Sequence, residues 1–76
     1  MNDNLSGKPV GDVRNIEAVV TRVVDGFSVT VVMLENERTR VLVERTVKSH
    51  SEAGTLAKAV ASQNNIPSHR VAVVSR

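Results

Sequence analysis

Residues 16–47, IEAVVTRVVDGFSVTVVMLENERTRVLVERTV, alternate aliphatic and polar side chains through two interruptions, Asp25-Gly26 and Glu35-Asn36-Glu37. Alternation with a period of two is the pattern of β-strands, and clusters of Gly, Asp and Asn between such runs mark turns. Three strands are therefore expected, over residues 16–24, 27–34 and 38–48. In the first, Ile16, Ala18, Val20 and Val24 share a face. Asp25-Gly26 can supply the positive backbone angles of a two-residue type I′ turn, which sets Val24 opposite Phe27, Val20 opposite Val31 and Ala18 opposite Met33. The third strand puts Val41, Val43 and Val47 on one side and Arg40, Leu42, Glu44, Thr46 and Lys48 on the other. Pairing Val31 with Val41 and Val29 with Val43 keeps the valines together but requires an odd-length loop or a bulge. The odd loop is the expected solution, because a two-residue Asn36-Glu37 turn would shift every partner by one position. Arg45, like Arg22 on the first strand, then stands among apolar neighbours, with its stem packing and its guanidinium reaching the sheet margin.

The period changes after residue 48. Ser49-His50-Ser51-Glu52 has the spacing of a capping box, and Ala53, Leu56, Ala57 and Val60 recur at helical intervals, so a helix is expected from about residue 50 to 64. Its apolar stripe is narrow and mostly small, suited to close packing on a sheet, while Thr55, Lys58 and Ser62 face away. Asn64-Asn65 can take the left-handed conformation that ends a helix, Ile66 can fold back on the last turn, and Pro67 prevents continuation. Residues 70–75 read as a final strand, with Val71 and Val73 on one face and Ala72 and Val74 on the other.

The order β-β-β-α-β implies an α+β domain, an antiparallel sheet with one helix on one face. Residues 1–14, with two Gly, one Pro and no sustained period, read as a flexible N-terminal arm to a single domain over 15–76. After a returning helix the last strand is parallel to the first and third, and it can join beside the first strand or enter another chain. The chain of 76 residues buries only roughly 60% of its unfolded surface, and with no Cys it has neither disulfides nor thiolate metal ligands to supplement so small a core. Association is the remaining supplement. No secretory signal and no apolar run long enough to span a bilayer is present, which leads to the expectation of a cytoplasmic protein without membrane contact.

One helix covers one face of a sheet. On the other lie Val19, Val23, Val32 and Leu34, with Leu42 nearby, among Glu17, Thr21, Ser28, Thr30, Arg40 and Glu44. A contiguous aliphatic patch of this kind marks an interface, either of a homodimer or with a different protein. The plainer alternatives are that strands are Val-rich because β-branched residues suit them, or that the arm covers the patch through Leu5, Val10 and Val13.

Charge supplies a second candidate surface. Residues 1–37 carry three Lys/Arg against six Asp/Glu, and residues 38–76 carry seven against two, so a net +2 divides into −3 and +5. The basic half fits an anionic partner, or is simply a solvated mixed-charge surface. Duplex DNA is the alternative partner, contacted through Arg38, Arg40, Lys48, Lys58 and Arg70, with Arg40, Thr46 and Lys48 on one strand face. The order of elements over residues 16–64 resembles, in topology alone, the three-strands-plus-helix layout of arm-type integrase DNA-binding domains. That resemblance implies a sheet placed in a DNA groove. The chain has no Trp or Tyr and one Phe, so it lacks a base-stacking platform for single strands, and phosphate contacts are favoured over base readout.

Catalysis is not expected, since acid-base or nucleophilic chemistry needs positioned groups in an enclosed site. His50 and His69 read as loop or helix-end residues, and only if those ends met could they form a metal site with Glu52. Ser49 and Ser51 are explained as caps. Gly7, Gly11, Gly26 and Gly54 form no phosphate-binding loop. The reading is a small non-enzymatic protein-interaction module, an adaptor, inhibitor or regulator, without cofactor or metal.

Overall fold

Among the described residues, strand β1 (Arg14–Val23), β2 (Gly26–Glu35) and β3 (Arg38–Val47) are followed by helix α1 (His50–Gln63), a 3-10 turn (Ser68–Arg70) and β4 (Val71–Ser75). The computed structural model describes residues 14–36 and 38–76. The expected arm lies outside the described residues except for Arg14, which opens β1, and the same holds for a cover built from Leu5, Val10 and Val13.

The four strands form one sheet in the order β3-β2-β1-β4, with β4 parallel to β1 and the other neighbours antiparallel. The last strand therefore completes its own chain's sheet. Ile16, Ala18 and Val20 of β1, with Val29, Val31 and Met33 of β2, point toward the helix and are buried against Ala53, Ala57, Val60 and Ala61. Alternation along the strands meets the helical stripe here. The small helix residues let the backbone settle close to the sheet, where burying each large aliphatic is worth about 1.5–3 kcal/mol.

Two details of register depart from expectation. The first turn is Val24-Asp25, not Asp25-Gly26, and the pairs are Val23 with Gly26, Arg22 with Phe27, Val20 with Val29, Ala18 with Val31 and Ile16 with Met33. Val24 is 98% exposed. Neither Val24 nor Asp25 has a positive φ, so the turn is not type I′. The shift is by two residues and keeps every side chain on its expected face. It replaces Glu35 by Met33 opposite Ile16, and joining two large apolar side chains outweighs the exposure of one valine.

The second departure is the β2–β3 register. Glu35 pairs with Arg38, so the strands are two residues apart in sequence, with Asn36 at φ 44, a left-handed angle that Asn tolerates better than most residues. The one-position shift that this causes is undone by a bulge: Val32 pairs with Val41, Val31 with Val43, and Leu42 is the extra residue. Without the bulge Val29 would face Glu44 and Phe27 would face Thr46. With it they face Arg45 and Val47, and the acidic side chain stays off the core side.

The helix start forms as expected in outline. The Ser49 hydroxyl accepts from the Glu52 amide at 3.1 Å, and the Glu52 carboxylate accepts from the Lys48 amide at 2.8 Å, one residue earlier than in a standard capping box. At the other end Asn65 is left-handed at φ 60, and the Ile66 amide donates to the Ala61 carbonyl at 2.8 Å, returning Ile66 to the core. Within the helix, Gly54 has open space where a Cβ would lie. Gly54→Ala therefore stabilises the fold by about 0.5–1 kcal/mol, seen as a rise in the urea midpoint at unchanged slope.

Candidate functional site

The bulge at Leu42 decides which side chains share a surface. Pairing places Arg38 and Arg40 across from Glu35 and Met33, and Arg45 across from Val29, so all three arginines of β3 stand on the helix side. Arg14 and Arg22, paired with Glu35 and Phe27, stand there too. The opposite side, open in that none of the described elements packs on it, carries Thr39, Val41, Glu44 and Thr46 from β3, Leu34, Val32, Thr30 and Ser28 from β2, Asn15, Glu17, Val19, Thr21 and Val23 from β1, and Ala72 and Val74 from β4. Cationic strand residues thus lie on one side, and the open side's charges are Glu17 and Glu44.

Four of the five expected interface residues, Val19, Val23, Val32 and Leu34, are on the open side. Leu42 is not, because as the bulged residue it packs against the core cluster. Val41 takes its place. It is 61% exposed, beside Val32 at 8% and with Val23 at 40%. Sequence alternation put Val41 in the core because no periodic signal marks a bulge; the two-residue Asn36-Glu37 connection was the available clue. Val74 joins the same face through its pairing with Val19.

The expected nucleic-acid residues are dispersed. Arg38 and Arg40 stand at the beginning of β3 and Lys48 follows its end, while Arg70 precedes β4 at the far edge of the sheet. Lys58 is exposed on the helix. Arg40 and Thr46, expected on one face, are on opposite faces because the bulge lies between them. Arg40 contacts Glu35 at 3.9 Å, a long and exposed ion pair of small energetic weight.

Arg45 borders a groove of about 370 Å³ between the edge strand β3 and α1, completed by Val47, Glu52, Thr55, Leu56 and Ala59. The helix packs mainly on β1 and the edge strand β4 and reaches β3 least, which leaves the groove at this margin. Arg45 makes no ion pair with a described residue, and Glu52 is engaged at the helix cap. The groove is open and mainly apolar, suited to seating an aliphatic side chain.

His50, at the helix start, is within 2.9 Å of the Ser75 hydroxyl and meets the Phe27 ring edge-on at 6.0 Å between centroids. It ties α1 to the ends of β2 and β4. His69 precedes the opposite end of β4, so His50, Glu52 and His69 do not converge. Among the described residues no three metal-ligating side chains gather, and no helix is long and apolar enough to cross a membrane. No protein-family model, curated protein or solved structure matches this chain.

Proposed function

We propose that this protein is a cytoplasmic, non-enzymatic interaction module, an adaptor, inhibitor or regulator, that works by burying its open sheet face against another protein surface, with a second copy of the chain as the first partner. The supporting observation is the face itself: Val19, Val23, Val32, Leu34, Val41 and Val74 lie opposite the helix, with Val41 and Val23 the most exposed. Burial of such a patch is the dominant favourable contribution to association. Glu17 of the inner strand β1 stands among these valines and the open face has no cation among the described residues, so a second copy seated on the valines leaves Glu17 in water, whereas a different protein can supply a cation there.

The solution molar mass tests this. Light scattering is expected to give twice the 8.2 kDa chain mass. Val41→Glu and Val23→Glu should each weaken the dimer by about a hundredfold while leaving the single chain folded, as its circular dichroism spectrum would show, because both side chains are already exposed in the single chain. Val32→Glu is unsuitable as a probe because Val32 is buried within the chain. A dimer that survives both substitutions would reject this face, and a monomer at every concentration would leave it to a different protein.

A second reading, contact with the phosphates of duplex DNA, draws support from the row Arg38, Arg40 and Arg45 on an edge strand. The dispersal of Lys48, Lys58 and Arg70 weighs against it.

A further inference from the structure

Among the described residues β3 is an edge of the sheet, ten residues long, and its outer row of backbone groups pairs with no strand. An edge of this length accepts an extended chain unless its side chains oppose one. Those side chains select the partner. A second copy is disfavoured, since antiparallel self-pairing over the whole of β3 sets Arg40 opposite the copy's Arg45, and like charges directly across a ladder are destabilising. The bulge at Leu42 further spoils a regular self-match.

An acidic strand meets the opposite situation. The helix-side row of β3 presents Arg38, Arg40 and Arg45, and the Glu35 contact with Arg40 is the one ion pair it makes with described residues. The groove bordered by Val47, Thr55, Leu56 and Ala59 opens on that same side, next to Arg45. Side chains of an added strand that point toward the helix side therefore pass over three cations and one aliphatic recess.

We infer that β3 captures an extended segment of a partner protein by strand addition, its carboxylates meeting Arg38, Arg40 and Arg45 and an aliphatic side chain entering the groove beside Val47 and Leu56. Backbone pairing supplies affinity and the arginine row supplies selection. Duplex DNA makes poorer use of the same surface, because the apolar recess offers nothing to phosphate and Glu52 stands at its border. The arginine row and the groove lie on the helix side of β3 and the valines on the other, so either site can exist without the other.

The probe is a labelled peptide of about ten residues, glutamate and valine alternating, with leucine at each end of the glutamate row, titrated with the full chain by fluorescence anisotropy. Saturable binding is expected, weakened by about tenfold or more in Arg40→Glu/Arg45→Glu, absent for a lysine-valine peptide, and abolished when alternate peptide nitrogens are methylated. Val23→Glu, two strands from β3 and on the opposite side of the sheet, should leave the affinity unchanged, which separates this site from the open face. The inference is overturned if the acidic peptide fails to bind, if charge reversal leaves its affinity unaltered, or if the methylated peptide binds equally well. It is also overturned if a duplex of about 20 base pairs binds more tightly through the same two arginines.

Discussion

Gly26→Ala lowers the melting temperature by about 10–20 °C, corresponding to a loss of about 2–3 kcal/mol in a domain of this size. Gly26 begins β2 at φ +146, a backbone conformation that L side chains rarely adopt. A Cβ there would collide with the carbonyl oxygen of Val47, the last residue of β3. Backbone on both sides leaves no flexible side chain to yield, so either the first turn or the end of β3 must move. Moving the latter disturbs the Phe27–Val47 pair and the chain entering the Lys48–Glu52 cap. Thermal unfolding followed by circular dichroism checks this, with Gly54→Ala as the internal control that shifts in the opposite direction. A fall of less than about 4 °C would mean that the Val47 carbonyl does not restrain this position.

Ile16→Ala costs about 3–4 kcal/mol, inside the range for removing a large aliphatic from a closed core. Ile16 is fully buried and is paired on one side with Met33 and on the other with Val71. Its truncation therefore opens a cavity where the antiparallel hairpin and the parallel β4 meet. Urea denaturation gives the loss directly, and amide hydrogen exchange distinguishes its reach: protection should fall in β4 as well as in β1. Protection retained in β4 while β1 weakens would show that the last strand is held independently of this contact.

The core face was legible in residues 16–34 because a period of two concerns neighbours in sequence, and a register slip of two residues leaves that face unchanged. The helix was legible for the same reason: Ser49, Glu52, the Ala53/Ala57/Val60 stripe, Asn65 and Ile66 act within a few residues of one another. Exact partners were not legible. The choice between an Asp25-Gly26 and a Val24-Asp25 turn rests on whether Ile16 meets Glu35 or Met33, at the far end of the hairpin.

The candidate surfaces depended still more on distant pairing. Val19, Val23, Val32 and Leu34 could be assigned to the open face from parity along two strands. Leu42 and Val41 exchanged roles because one extra residue in β3 inverts the parity of everything before it, and the same inversion gathered Arg38 and Arg40 with Arg45.

By itself the sequence determined the elements, their order, the α+β class and the apolar side of the first two strands and of the helix, all consequences of local periodicity and capping. Only the tertiary structure decided the Leu42 bulge, the position of β4 beside β1, the groove under α1 and the separation of arginines from Glu17 and Glu44. The physical reason is that strand pairing is a non-local competition. Partners are settled by the summed fit of whole strands and the covering helix, and no single stretch of chain contains that sum.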